Sequence, residues 1–190
     1  MTKLVLASAS PRRRELLGLL GFEFDVVPTG VDELVEGDPA ELVVANALRK
    51  ARAAANAGEA LEAVGTIVVG ADTDVVLDGR LLGKPADEAA ARERIAALAG
   101  RTHAVLSGLA LIGAGRELTD LVRTEVTFRD LREGEIERYV ASGEWEDRAG
   151  GYAVQGYGSS LIAAVDGDLS NVIGLPLPKL SEMIEKLQNR

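Results

Sequence analysis

Residues 4–28, LVLASASPRRRELLGLLGFEFDVVP, decide how the fold is read. Leu4 to Ala7 form an apolar run of the length of a buried strand. Ser10 is a good N-cap and Pro11 a good first helical residue. Arg12 to Leu20 therefore reads as a helix, with Leu16, Leu17, Leu19 and Leu20 on its apolar side and Gly21 as its stop. Phe22 to Pro28 alternate as a second strand. One local rule is broken. Arg12, Arg13 and Arg14 fall in the first helical turn, where the helix dipole favours anions. Arg12 stands four residues before Leu16 and Arg13 four before Leu17, so both extend the apolar stripe toward the end of the sheet. Arg14 lies over Gly18 and faces solvent. Helix-start N–H groups, the hydroxyls of Ser8 and Ser10 and two inward guanidinium groups would together cradle phosphates. The alternative is an exposed basic turn, which leaves the conflict with the dipole without a cause.

The same alternation continues outward from this opening. Asp38 caps a long helix with Pro39 in its first position and Glu41 completing a capping-box-like pattern, running to about Ala57. Thr66 to Val69 read as a continuous apolar strand closed by Gly70-Ala71-Asp72-Thr73. Val75 to Leu82 form a hairpin around Asp78-Gly79. A capped helix spans about Asp87 to Ala99 and stops at Gly100. His103 to Ile112 and Glu117 to Phe128 are two strands, antiparallel across Gly113-Ala114-Gly115. Glu133 to Ala141 is a short helix, Ser159 to Val165 a further strand, and Pro178 to Leu187 a final helix. This mixture implies an α/β sheet of mixed strand direction, with helices on both faces and two lobes whose cleft is the default ligand site.

A chain of 190 residues suits one domain or one with a small sub-lobe. The absence of cysteine excludes a disulfide framework and a zinc-thiolate site. The opening Met-Thr-Lys-Leu-Val-Leu-Ala is too short for a signal-peptide core, and no long apolar run occurs, so a soluble cytoplasmic protein that does not engage membranes is expected. A net charge of -9 argues against a broad basic surface for nucleic acid, while leaving room for a small anion in a local basic pocket. A single histidine, His103, rules out a histidine triad or a multi-histidine metal site, and it reads as structural. No P-loop segment and no dinucleotide fingerprint is present.

Other residues carry chemistry with less force. Asp72 and Thr73 sit just past a buried strand, where open α/β sheets place functional groups. A carboxylate there either binds a divalent metal or activates water; the alternative is a solvated acidic turn. Asp74, two residues on, shares a face with Asp72 if the backbone stays extended. Lys50 lies on or beside the apolar stripe of its helix and either reaches a phosphate or snorkels to water. Lys84 (in Gly83-Lys84-Pro85) and Asp32-Glu33 are unremarkable alone. Residues 149–158, AGGYAVQGYG, interleave glycines with Tyr152, Gln155 and Tyr157. Gln155 offers a donor and an acceptor suited to a base edge, unless the stretch is an ordinary surface loop.

Taken together these segments resemble one family. Ser8-Ala9-Ser10-Pro11-Arg12-Arg13, Val31-Asp32-Glu33, Lys50-Ala51, Gly70-Ala71-Asp72-Thr73 and Gly83-Lys84-Pro85 occur in its order. Ser107-Gly108, Tyr139-Val140, Ala149-Gly150-Gly151-Tyr152, Gln155-Gly156 and Asn171 to Leu177 follow. The chain resembles the Maf-type nucleoside triphosphate pyrophosphatases, which are related in architecture to the inosine triphosphatase-like house-cleaning enzymes. The resemblance implies one domain over residues 1–190, a mixed twisted sheet with flanking helices and two lobes around a central cleft. It implies Asp72 as the catalytic acid group that takes a proton from water or holds the metal. Ser8, Arg13, Glu33, Lys50 and Lys84 would line the triphosphate and metal pocket, with Glu33 and Asp72 holding magnesium or manganese. Arg12, Thr73 and Gln155 match the branch acting on dTTP and UTP; the branch acting on 7-methyl-GTP has tryptophan, glutamine and glutamate there. A homodimer is implied, and a role in restraining septum formation stands as the alternative to catalysis. Asp74 departs from the family's aliphatic residue, as an added metal ligand or a surface substitution.

Overall fold

The computed structural model describes residues 2–57 and 65–189. Its elements are β1 (Lys3–Leu6), α1 (Pro11–Gly18), β2 (Phe24–Val26), α2 (Pro39–Asn56), β3 (Thr66–Leu77) and β4 (Arg80–Leu81). They continue with α3 (Glu88–Leu98), β5 (Thr102–Gly113), β6 (Arg116–Phe128), α4 (Glu133–Ala141), β7 (Ile162–Asp166), α5 (Leu169–Ile173) and α6 (Leu177–Gln188). The strands form a seven-stranded sheet in the order β2-β1-β3-β5-β6-β7, with β4 paired to β3. β1 runs parallel to both β2 and β3, Leu6 standing opposite Val26 and Val69. The β3–β4 and β6–β7 pairs are antiparallel, so the sheet is mixed, as expected.

Two compact units divide the chain: Met1–Thr73, Ser107–Val122 and Gly174–Arg190 in the first, Asp74–Leu106 and Arg123–Ile173 in the second. The first has a small-residue core in which Ala47, Ala51 and Ala54 of α2 meet Val5, Ala7, Val68 and Ala110. The second is built around larger side chains, among them Ile95, Phe128, Tyr139, Trp145 and Tyr152.

Helix starts follow the sequence signals. Ser10 caps α1 through the Arg13 amide, and Asp38 caps α2 by accepting from the amides of Ala40 and Glu41 at 3.0 and 3.2 Å. Asp87 caps α3 through Ala90. Asp78 and Gly79, with φ of 51° and 77°, make the expected turn between β3 and β4.

Two expectations are corrected. The strand placed at Thr66 to Val69 does not close at Gly70-Ala71-Asp72-Thr73; β3 runs on to Leu77, so Asp72 and Thr73 lie within a strand rather than in a turn. The physical reason is Gly70, where an added Cβ would collide with the Ala47 carbonyl oxygen of α2 and lie 2.9 Å from Ala51 Cβ. Glycine there marks close approach of another backbone, not a turn. The last strand begins at Ile162, not Ser159, because Gly156–Leu161 winds as a 3-10 segment. The five-residue helix α5 gave no periodic signal in the sequence.

Candidate active site

The site of the first unit forms at the carboxyl end of β1. β1 stops at Leu6, whereas its parallel neighbour β3 continues past Val69. Ser8 therefore leaves the sheet beside the Gly70–Thr73 segment, the end of a parallel pair where α/β proteins place ligands. Successive strand residues alternate faces, so Gly70 and Asp72 share one. Gly70 admits the backbone of α2, and Asp72 meets that helix's polar side chains one step further along.

Asp72 is held from two directions. Its Oδ1 accepts from Lys50 Nζ at 2.6 Å and its Oδ2 from Asn46 Nδ2 at 3.2 Å. Lys50 Nζ also donates to Glu33 Oε1 at 2.5 Å. The Asp72 and Lys50 side chains are each 12% exposed, against 55% for Glu33. An ion pair this buried is poor evidence of stabilisation, because desolvation offsets most of the Coulomb gain. Two carboxylates converging on one cationic atom instead describe a place built for charge.

Arg13 answers the conflict in the first turn of α1. Its side chain folds over the helix start: Nε donates to the Gly174 carbonyl at 2.9 Å, Nη1 to Ser8 Oγ at 3.3 Å and Nη2 to Thr73 Oγ1 at 3.3 Å. Burial pulls its pKa below the ordinary arginine value, while the charges of Asp72 and Glu33 work against that fall. Thr73 Oγ1 lies 2.7 Å from Ser107 Oγ and 3.3 Å from the Gly174 carbonyl. Arg12 is half-buried and Arg14 exposed, as the spacing required.

The structure thus gathers Ser8, Arg13 and Thr73 into one hydrogen-bonded group and Glu33, Lys50 and Asp72 into another, both in the first unit, with Asp72 and Glu33 acting on Arg13 through their charge. Lys84 and Gln155 belong to the second unit. Lys84 is exposed, with Asp147 3.6 Å away. Gln155 is exposed and leads into the 3-10 segment, whose Tyr157 and Gly158 amides donate to the Glu144 carboxylate at 2.8 and 2.9 Å.

Asp74 binds backbone amides of its own hairpin. Its Oδ1 accepts from the amides of Val75 at 2.7 Å and Gly83 at 3.0 Å, and the Gly83 carbonyl accepts from Gly150 N at 2.8 Å and from Arg94. It latches the turn that carries Lys84. Among the described residues no three His, Cys, Asp or Glu side chains form a metal cage. His103 is structural, its Nε2 2.8 Å from the Tyr152 hydroxyl within an edge-to-face cluster with Phe128.

Sequence reasoning missed Asn46, the Gly174 carbonyl and the Ser107 hydroxyl. Asn46 had a signal: it is a polar residue on the stripe formed by Leu42, Val43, Ala47, Ala51 and Ala54, and a buried polar group is the informative exception. A backbone carbonyl such as that of Gly174 has none.

A family model described as "Maf-like protein" matches residues 3–187. A dTTP/UTP pyrophosphatase of Moorella thermoacetica is 51% identical over 189 residues, spanning 97% of this chain and 94% of its own. One from Symbiobacterium thermophilum is 48% identical over 186 residues, spanning 97% and 93%. A crystal structure of a nucleoside-triphosphatase / dITP/XTP pyrophosphatase from Mycobacterium abscessus shares the fold, with a TM-score of 0.50 at 20% identity over 99% of this chain and 97% of that one.

Proposed function

The chain belongs to the family of Maf-like proteins, and from that premise we propose that it hydrolyses dTTP and UTP to the nucleoside monophosphate and pyrophosphate, as a house-cleaning enzyme. The observation that carries this reading is the buried Lys50–Asp72 pair, shared with Glu33 and flanked by Arg13. It combines a carboxylate and cationic groups beside the carboxyl end of β1.

Asp72 accepts the proton of a water directed at the α-phosphorus. The water oxygen bonds to that phosphorus, the bond from the α-phosphorus to the bridging oxygen breaks, and pyrophosphate departs with the electron pair. Arg13 and Lys50 stabilise charge on the departing group. Ser8 orients the Arg13 fork. Lys84, Arg12, Thr73 and Gln155 carry the remaining assignments: Lys84 and Arg12 contact phosphate, Thr73 fixes Arg13, and Gln155 reads the pyrimidine edge.

Magnesium-type cations take one or two carboxylates and complete their shell with phosphate oxygens and water. Glu33 and Asp72 fit that donor set, since each places an oxygen within hydrogen-bond reach of the same cationic atom, Lys50 Nζ. Bound between them, magnesium or manganese would polarise the phosphate and acidify the water. The same reading makes residues 1–190 one functional domain, working as a cytoplasmic homodimer.

The test is pyrophosphate release from dTTP, UTP, CTP, GTP and 7-methyl-GTP with magnesium or manganese, for wild type and Asp72→Asn. Turnover of dTTP and UTP ahead of the others is expected, reduced roughly 10²–10⁴-fold in the variant. Preference for 7-methyl-GTP would overturn the match of Arg12, Thr73 and Gln155 to the branch acting on dTTP and UTP. Nucleotide binding without turnover would overturn the hydrolase.

A further inference from the structure

Asn46 makes three hydrogen bonds to two separate parts of the acidic cluster. Its Nδ2 donates to Asp72 Oδ2 at 3.2 Å and to the Leu34 carbonyl at 3.1 Å, and its Oδ1 accepts from the Leu34 amide at 2.8 Å. Both N–H groups and the carbonyl are therefore used, and the residue is 4% exposed. A side chain this buried, on an otherwise apolar helix face, would leave Asp72 Oδ2 and the Leu34 peptide without partners if it were replaced by leucine.

Lys50 lies one turn further along α2 and repeats the pattern. It bonds Asp72 and Glu33, just as Asn46 bonds Asp72 and the neighbouring Leu34. The helix thus grips the same two segments twice, once through a charge and once through a neutral amide. The two grips respond differently to a phosphate. An incoming anion would attract Lys50 and weaken its hold on the carboxylates. The amide carries no charge and stays in place.

We infer that Asn46 is a positioning residue that keeps Asp72 and the Glu33–Leu34 segment at the spacing a divalent cation requires once Lys50 has turned to phosphate. Its substrate rests on the hydrolase reading above; its effect on the cation does not. Outer partners of this kind change metal affinity or activity by about 10–100-fold.

Two readouts test this in the intact chain, for wild type, Asn46→Leu and Asn46→Ala. The first is a titration of the nucleotide-free protein with Mn2+ followed by electron paramagnetic resonance. The second is steady-state hydrolysis of dTTP. The expected result is a Mn2+ midpoint raised about tenfold and a kcat lowered about 10–100-fold, with the KM for dTTP within about threefold of wild type because the phosphate contacts of Arg13 remain. Should the leucine variant fail to fold, the alanine variant, which adds no bulk and favours helix, gives the same comparison. A folded variant with the wild-type Mn2+ midpoint and kcat overturns the inference, as does a wild type that takes up no Mn2+. If Mn2+ binding depends on Asn46 while no nucleotide is cleaved, the positioning role stands and the hydrolase reading falls.

Discussion

Arg13 shows what a single residue gains from its surroundings. In isolation, a guanidinium in the first turn of α1 opposes the helix dipole; here it is anchored by the Gly174 carbonyl and two hydroxyls, with Asp72 and Glu33 countering its charge. Those acceptors lie along three edges of a planar fork, which an ammonium cannot match. Arg13→Lys is therefore expected to keep the charge yet lose about 10²-fold in kcat for dTTP, measured by pyrophosphate release, with little change in unfolding midpoint. Asp74 gives a second prediction at this scale. Asp74→Leu, which restores an aliphatic side chain, frees the Gly83 amide and loosens the turn that carries Lys84. It should lower stability by about 1 kcal/mol and raise the KM for dTTP several-fold, while Mn2+ binding stays unchanged. A change in the Mn2+ midpoint would instead make Asp74 a metal ligand.

At the level of elements, α2 owes its height over the sheet to two missing side chains. A Cβ at Gly108 of β5 would collide with the Val43 carbonyl of α2, as one at Gly70 of β3 would with that of Ala47. Lifting the helix also lifts Asn46 and Lys50 away from Asp72. Gly70→Ala is expected to cost about 1–3 kcal/mol, as overpacking does, and to reduce kcat more than Tm alone would suggest. Denaturant unfolding followed by kinetics well below the midpoint separates the two effects. The limits of sequence reasoning are clearest here. The start of α2 was legible because Asp38 and Pro39 act locally. The length of β3 was not: Gly-Ala-Asp-Thr-Asp has the composition of a turn, and burial of both faces through Asp72 removes the alternation that marks a strand. What keeps the segment extended is a helix many residues away.

For the molecule as a whole, His103 links stability to pH in the range between about 6.5 and about 4. Burial lowers its pKa from 6.5 to about 4, and its Nδ1 is buried without a hydrogen-bond partner. The folded protein therefore holds the ring neutral while the unfolded chain takes up a proton below about pH 6.5. Stability is expected to fall as pH drops from about 6.5 to about 4, by up to about 3 kcal/mol, and His103→Gln should flatten that slope in urea unfolding measured between pH 7 and 4. The structural role of this histidine was legible from its being the only one. The division into two units was legible only as a number of lobes, because each unit is assembled from segments far apart in the chain. The Arg13–Gly174 contact belongs to the same class, and it sets an order on synthesis. A chain growing from its amino end presents Arg13 161 residues before the carbonyl that seats it, and the buried Leu175, Leu180 and Ile184 follow later still. Until residue 174 has been made, the Arg13 guanidinium lacks the carbonyl that seats its Nε, so this contact closes late, after most of the strands it lies beside exist.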